Sequence, residues 1–361
     1  MSVLRSVRRK ESGQRRRRRG AATLLPAGLL LMLPAVAMTP GPTPARAPQE
    51  AFGVYVRLLD ATGVPFDDVV AAVRSGLESA GFEIVGETEE GVKRDVCDYR
   101  AYVLAFMDGE YTRQLMAHGS IAAFALPLRA AVFEDENGVH LVMANPRSLN
   151  RTIVAENAVD EVSAAIVEKV RAAVVGQGVG QPASGDYGQM RSRGLIGKTM
   201  GVMAGGPFPS KVEEIASVDS DEIGGLEGAI KRLREGLKEG GGEWKWGIHA
   251  VYGVTLPDFK TGIVGVGGRE MEAKSFSIVG EGSDRSRAKM ACPGIDHAAA
   301  YPVEMVLTEV DGQVKVSLID EMFRMKMYFE DAGKMKFAMN MRMPGSIESE
   351  IRDKVDEVLF Q

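Results

Sequence analysis

An internal repeat at a spacing of 175 residues restricts the fold of this chain more than any other feature. Shifted by that distance, LPLRAAVFEDENGVHLVM (126–143) aligns without a gap with YPVEMVLTEVDGQVKVSL (301–318). In both segments alternating apolar residues surround a polar turn, and Asn137-Gly138 in the first is a strong hairpin signal. Two copies, rather than three or more, indicate a duplicated domain and argue against a solenoid.

The elements predicted around the first copy alternate between strands and helices. Alternating apolar residues predict a half-buried strand over 52–58, and apolar residues at helical spacing after Pro65 predict an amphipathic helix that ends at Gly81. Further strands are predicted at 82–87, 99–106, 121–134 and 139–144, with helices at 110–118 and 159–170. The resulting order is β-α-β-β-α-β-β-α, which defines an α+β unit.

The second copy has similar flanking elements. An amphipathic helix is predicted from Ile223 to Leu237, ended by the glycines at 240–242, and a closing helix from Ile347 to Val358. We therefore predict an α+β fold of two tandem units after an N-terminal apolar leader. The predicted boundaries are a leader at 1–47, a first unit at 48–176, a Gly/Met-rich linker at 177–214 and a second unit at 215–361.

The N-terminal segment has the composition of an export signal. Residues 1–47 contain nine arginines, one lysine and one glutamate, a net charge of +9, and residues 20–38 carry no charge. A basic segment before a short apolar core and small-residue cleavage sites is typical of a secretory signal peptide, which predicts a periplasmic, envelope or secreted protein. A single uncleaved N-terminal membrane anchor and an organellar transit peptide are the alternatives.

The rest of the chain is acidic. The formal net charge of −5 over 361 residues leaves −14 outside the leader. Such a surface has no electrostatic attraction for nucleic acid or anionic lipid, so we predict no nucleic-acid partner. Membrane contact is expected only through the leader or through a Met-rich face near the C-terminus.

Several short motifs of the first unit follow the pattern of a known family. They are Gly81-Phe82-Glu83-Ile84, the strand at 99–106, Leu126-Pro127-Leu128, the turn and strand at 134–142, and a Gly/Met-rich segment at 194–207. In these motifs the chain resembles the DUF302 family over about 51–215 and, less closely, over 216–361. The resemblance implies an α/β or α+β fold with no established activity.

The thiol positions of that family are missing from this chain. Many members carry a Cys after the proline of the x-Pro-x strand, where Leu128 and Val303 stand here, so the resemblance does not imply thiol redox or metal chemistry. The two cysteines, Cys97 and Cys292, are not equivalent in the 175-residue frame. One disulfide between the units and two separate thiols are both open interpretations.

No motif in the sequence identifies a reaction. Gly197-Lys198-Thr199 lacks the first glycine of a phosphate loop, and GIVGVGG (262–268) lacks the third glycine of a dinucleotide fingerprint. The four histidines lack zinc-ligand spacing, and His297 after Asp296 is typical of a structural residue. We therefore predict no catalytic residue and no cofactor. A hydrolase or redox enzyme assembled from distant residues, the second alternative, requires a buried carboxylate–histidine cluster.

Methionine is the unusual residue type of this chain. Seven of the 19 methionines lie between 322 and 343. Met335, Met339, Met341 and Met343 have spacings at which thioethers bind Cu(I), and Met335, Met339 and Met343 share a face if the segment is one helix. Methionines also fill irregular cores or form adaptable apolar surfaces.

These observations favour binding over catalysis. We predict a binding module for a small apolar ligand or a protein partner, located between the units or beside the Met-rich segment 322–343. An envelope protein that binds Cu(I) through that segment is the first alternative. An oligomer is compatible with each of these interpretations.

Overall fold

Two antiparallel β-sheets, one in each half of the chain, form the centre of the fold. The computed structural model describes residues 50–92, 97–154, 158–192, 194, 206–238, 244–280, 292 and 294–360. The predicted leader, the Gly/Met-rich residues 195–205 and the glycines at 240–242 lie outside these residues. We call residues 50–194 the first half and residues 206–360 the second half.

The first half contains one sheet and its covering helices. Its strands are Tyr55–Ala61 (β1), Glu83–Glu89 (β2), Ala101–Met107 (β3), Leu128–Asp135 (β4), Gly138–Ala144 (β5), Gln181–Pro182 (β6) and Asp186–Tyr187 (β7). Among the described residues the strand order is β2-β3-β4-β5-β1-β6, with β7 also paired to β1. The helices are Phe66–Ser79 (α1), Gly109–Met116 (α2), Pro146–Ile153 (α3) and Asp160–Val175 (α4), with a 3-10 helix at Ser120–Ala125.

The second half contains the other sheet. Its strands are Val212–Asp219 (β8), His249–Leu256 (β9), Thr261–Gly267 (β10), Val303–Val310 (β11) and Gln313–Ile319 (β12), in the order β8-β12-β11-β10-β9. The helices are Ser220–Ile223 (α5), Gly225–Gly236 (α6), Arg269–Gly280 (α7), Glu321–Phe329 (α8), Lys334–Met339 (α9) and Arg342–Leu359 (α10). A 3-10 helix at Ile295–Ala300 precedes β11.

The two halves have the same architecture. The strand order β2-β3-β4-β5-β1 corresponds to β9-β10-β11-β12-β8, read in the same direction. The 3-10 helices Ser120–Ala125 and Ile295–Ala300 start 175 residues apart, and so do the hairpin strands that follow each of them. The peptide bonds before Pro127 and Pro302 are both cis. The predicted α+β fold is therefore confirmed, with the repeated sequence at equivalent places in two similar sheets.

Two of the predicted elements are wrong in part. The predicted strand at 121–134 begins only at Leu128, because Pro127 has no N–H group for a sheet and residues Ser120–Ala125 form a 3-10 helix. The helix predicted from Ile223 to Leu237 is divided, since Gly224 and Gly225 have positive φ angles of 81° and 67°.

Each sheet is covered on both faces. On one face of the first sheet lie α1 and α4, and the apolar stripe predicted for α1 is buried there. The other face lies toward the second half: Ile295–Ala300 packs on β3, β4 and β5, while Ser120–Ala125 packs on β10 and β11. Because both faces are covered, the half-buried pattern predicted for β1 is wrong, and Tyr55 and Leu59 are as fully buried as Leu58.

A disulfide bond joins the two halves covalently. Cys97 precedes β3 and Cys292 precedes the 3-10 helix Ile295–Ala300, and their Cα atoms are 5.4 Å apart across 195 residues of sequence. Of the two interpretations that the sequence left open, the structure shows the disulfide. The buried apolar side chains of both halves form one continuous core around it.

Candidate functional site

Charged side chains are buried where the two halves meet. Arg129 on β4 and Glu304 on β11, which are 175 residues apart, form an ion pair and are 3% and 1% exposed. The Nη1 atom of Arg129 donates to the carbonyl oxygen of Pro302 at 3.1 Å, and Nη2 donates to the hydroxyl group of Tyr328. Buried charges persist in a fold when they are paired and hydrogen-bonded in this way.

A second arginine shares the same carboxylate. Arg324 has no exposed surface, and its Nε atom lies 3.8 Å from Oε2 of Glu304. Its guanidinium group lies 5.3 Å and 5.0 Å from the ring centroids of Tyr301 and Tyr328. The aromatic faces stabilise the second cation, because Glu304 alone neutralises only one of the two. We call Arg129, Glu304 and Arg324 the interface cluster.

Two other buried carboxyl groups differ from Glu304 in lacking any hydrogen-bond partner among the described residues. Glu90 and Glu321 have no hydrogen-bond partner for either side-chain oxygen among the described residues. Burial, followed by the charge of Glu272, raises the pKa of Glu90 well above its ordinary value, although Arg129 and Arg324 oppose the shift. Burial also raises the pKa of Glu321 to about 7, against the opposing effect of Arg324. Folding therefore shifts both groups toward the protonated form.

The carboxylate–histidine cluster that an enzyme would require is present, and its histidine is buried. The Nδ1 atom of His297 lies 2.8 Å from Oδ1 of Asp296, and Nε2 lies 3.1 Å from both carboxylate oxygens of Asp331. Burial acts to lower the pKa of His297, but the two aspartates outweigh it and the pKa is raised.

Ring contacts on both sides close this cluster. The His297 ring is 0% exposed, stacks on Phe329 at a centroid distance of 5.8 Å, and meets the edge of Tyr55 at 4.7 Å. Tyr55 belongs to the first half, whereas His297 and Phe329 belong to the second. The histidine of this cluster is therefore buried between side chains of the two halves, while the Asp296 and Asp331 side chains keep 10% and 15% exposure.

An open groove lies beside the Met-rich segment in the second half. Its volume is about 630 Å³, which is within the usual range of ~300–1,000 Å³ for small-molecule sites. It is lined by Lys245, Trp246, Glu270, Lys274, Met339, Asn340, Arg342, Met343 and Ser346. These residues come from the segment before β9, from the first turns of α7 and α10, and from the end of α9. We call this feature the groove.

The indole of Trp246 is held firmly in the groove. The backbone N–H of Trp246 donates to both carboxylate oxygens of Glu350, at 3.1 and 3.0 Å. The indole Nε1–H donates to the Oγ atom of Ser346 at 3.1 Å. The ammonium group of Lys245 lies 4.3 Å from the Trp246 ring centroid. Because Glu350 and Ser346 are both on α10, the helix fixes the aromatic surface in advance of any ligand.

A narrow apolar pocket adjoins the groove. It is lined by Ser275, Ile278, Met325, Phe329, Phe337, Asn340, Met343 and Pro344. Asn340 and Met343 line both spaces, so they form the wall between them. The pocket has a volume of about 20 Å³, enough for about one water molecule.

The four methionines predicted as a metal site lie in different surroundings. On α9, Met335 and Met339 are 78% and 71% exposed; Met341 is half-buried just before α10, and Met343 is buried within it. The boundary between α9 and α10 interrupts the single helical face that the spacing indicates for Met335, Met339 and Met343. Met339 and Met343 line the groove, whereas Met335 and Met341 do not. Cu(I) binding by these residues stays a prediction.

Two other features are absent from the described part of the chain. No group of three or more His, Cys, Asp or Glu side chains there could hold a metal ion. None of the helices described is both long enough and apolar enough to cross a lipid bilayer.

Several lining residues of the groove could not be predicted from the sequence. Lys245 and Trp246 come from a segment that has no counterpart in the first copy, and Lys274 comes from α7. The signal available in the sequence is the Trp244-Lys245-Trp246 triplet, which contains both tryptophans of the chain. Nothing in the sequence indicates that this triplet meets the first turn of α10, about 100 residues later.

The fold and the groove define an α+β protein of two similar halves with an amphipathic groove in one of them. The family model described as "Domain of unknown function DUF302" matches residues 60–175. This match agrees with the resemblance to the DUF302 family that the sequence motifs of the first unit predict.

Two further comparisons concern whole proteins. A search of curated proteins found no match to the chain. Among solved structures, the chain is similar to the uncharacterized conserved protein DUF302 from Bacillus stearothermophilus, with 14% sequence identity and a TM-score of 0.30. That comparison covers 34% of this chain and 96% of the other.

Proposed function

We propose that this protein is a binding protein that holds a small apolar ligand in the groove. The observation that carries the proposal is an open groove of about 630 Å³ that is lined by Trp246, Met339 and Met343. Methionine side chains adapt their shape to different apolar partners, and most of the exposed apolar surface of the groove belongs to Met339, which is 71% exposed.

A neutral fluorescent dye tests this proposal. We expect N-phenyl-1-naphthylamine to bind the purified protein and to accept excitation energy from Trp246. Met339→Gln removes an apolar wall and should weaken dye binding by about threefold to tenfold. Met335→Gln is the matched control, since Met335 is equally exposed on the same helix but does not line the groove.

The two variants separate the possible outcomes. Weaker binding in Met339→Gln with unchanged binding in Met335→Gln supports the groove as the site. Equal effects of both substitutions, or no dye binding by the unmodified protein, would contradict the proposal. In that case the exposed methionines of α9 become a candidate contact surface for a protein partner.

A Cu(I) site is a second candidate function, because Met339 and Met343 line the same groove. Leucine keeps the apolar character of methionine but has no sulfur. If the function is Cu(I) binding, the double substitution Met339→Leu and Met343→Leu should abolish it in a competition assay with a Cu(I) chelator. If the function is apolar ligand binding, the same variant should bind the dye almost as well as the unmodified protein.

We also propose that the protein is exported and that its second half is a second unit of the DUF302 type. The Cys97–Cys292 disulfide supports export, because disulfides persist in oxidising compartments. The shared strand order supports the second assignment. Alkylation of the protein from fractionated cells tests export: both cysteines should resist the reagent, and the protein should be found in the envelope or secreted fraction.

A further inference from the structure

We propose that the ligand of the groove is a free single-chain amphiphile with one anionic head group. This inference rests on the proposed function and specifies the chemistry of the ligand. The cationic rim of the groove would bind the head group, and Trp246, Met339 and Met343 would contact the apolar chain.

The charges that line the groove favour an anion. Lys245, Lys274 and Arg342 face a single carboxylate, Glu270, so three cations and one anion leave two net positive charges. None of the three cations forms an ion pair with a carboxylate among the described residues. This concentration of positive charge contrasts with the net charge of −14 outside the leader. Opposite charge on the ligand would complement it.

The first turn of α10 adds a second attraction for an anion. Arg342, Met343 and Ser346 line the groove from the N-terminal end of this 18-residue helix. The helix has no side-chain cap and no acidic residue in its first turn. The positive end of its dipole is therefore not neutralised within the helix, and it adds to the field of the three basic side chains.

The apolar part of the ligand is indicated by the opposite wall. Met339 is 71% exposed, and the narrow pocket behind Asn340 and Met343 is lined almost entirely by apolar side chains. A free ion such as inorganic phosphate would leave this surface in water, whereas an acyl chain would cover it. The combination of a cationic rim and an apolar wall therefore favours an amphiphile over a simple anion.

Decanoate and 1-decanol form the matched pair of probes, because they share a ten-carbon chain and differ in charge. Each is titrated against the protein–dye complex at neutral pH, and displacement of N-phenyl-1-naphthylamine is measured. We expect decanoate to bind at least fivefold more tightly than decanol, and we expect this preference to decrease with added salt. In the Lys274→Gln/Arg342→Gln variant the affinities for decanoate and decanol should differ by no more than about twofold.

The control variant is Lys231→Gln/Arg232→Gln, which removes two exposed cations from α6, outside the groove. It should keep the preference for decanoate. Equal affinity for decanol and decanoate in the unmodified protein would overturn the anionic head group while leaving the proposed function intact. Failure of both probes to displace the dye, or the absence of dye binding, would instead contradict the proposed function.

A membrane surface is the other source of anionic amphiphiles. Vesicles of phosphatidylglycerol are therefore offered to the same proteins in a flotation assay. Vesicle binding that depends on Lys274 and Arg342, together with no displacement by free decanoate, would overturn the proposal. Displacement by decanoate without vesicle binding supports it.

Discussion

Two of the charged groups described above, the interface cluster and the rim of the groove, have opposite surroundings. In the interface cluster, Arg129, Glu304 and Arg324 are less than 4% exposed, and the carboxylate lies against both cations. In the groove, Lys274 and Arg342 lie at an open surface without a carboxylate partner among the described residues. The first set holds the two halves together, and the second set is available to a ligand.

This difference shows how charge can distinguish structure from function. A buried charge loses its hydration on folding, so partners must be present in the folded chain itself. An open, unpaired cation keeps its water and contributes little to the free energy of unfolding. The arrangement of buried charges therefore reports on folding, whereas the arrangement of open charges reports on binding.

The largest expected effect follows from removing the shared carboxylate. Glu304→Ala leaves Arg129 and Arg324 buried without a counter-charge, and we expect it to lower the free energy of unfolding by about 3–5 kcal/mol. Urea denaturation followed by circular dichroism measures the change. Adding Arg129→Met to this variant should recover part of the loss, because one uncompensated cation then disappears.

The matched control is an exposed pair on the surface of the second sheet. Lys315 and Glu214 lie 3.0 Å apart with side chains 38% and 48% exposed. Lys315→Ala should change the free energy of unfolding by less than about 1 kcal/mol. Equal effects of Glu304→Ala and Lys315→Ala would remove the distinction between buried and open charges in this protein.

The next effect concerns the pH dependence of stability at His297. Burial opposes the charged ring, but Asp296 and Asp331 together raise the pKa of His297 in the folded protein. Its contribution to stability is therefore fully present below the ordinary histidine pKa of about 6.5 and is lost as the pH rises through the raised pKa. We expect the stability difference between the unmodified protein and His297→Gln to decrease from pH 6 upward.

The comparison with the variant isolates this histidine from other groups. The pKa of Glu321 is raised to about 7 by burial, so Glu321 also reduces stability as the pH increases. Because Glu321 is present in both proteins, its contribution cancels in the difference between them. A difference that stays constant from pH 5.5 to 8.5 would show that folding does not raise the pKa of His297.

The smallest effect is expected in the groove. Lys274→Gln/Arg342→Gln should change the free energy of unfolding by no more than about 0.5 kcal/mol, since neither cation has a buried partner among the described residues. Thermal unfolding of the variant beside the unmodified protein measures the change. A loss comparable to that of Glu304→Ala would assign these cations to the structure and not to a ligand.

Much of the fold can be predicted from local patterns, and the errors have identifiable causes. The stripe on α1 and the hairpin around Asn137-Gly138 are visible because helical and strand periodicities are local. The strand predicted at 121–134 is wrong at its start because apolar residues at 121–125 read equally well as strand or short helix. The burial of Tyr55 could not be predicted, since it depends on the face that the second half covers.

The candidate site was predictable only in part. The Met-rich segment marks one wall of the groove, because its composition is unusual in itself. Met335, Met339 and Met343 follow one another at intervals of four residues, so the sequence does not distinguish them. The packing of α9 and α10 decides which of these side chains are exposed. The pairing of Cys97 with Cys292 across 195 residues likewise depends on the contact between the halves.

The repeated α+β architecture is readable from the amino-acid sequence, because hydrophobic periodicity and turn residues are local signals and the same pattern recurs 175 residues later. Which charged side chains are buried and which are open depends on the packing of the two halves. Arg129 and Lys274 are both ordinary basic residues in the sequence. The second half covers Arg129, whereas Lys274 lies at the open groove. Burial is a property of distant segments brought together, so it cannot be assigned to a residue from its neighbours in sequence.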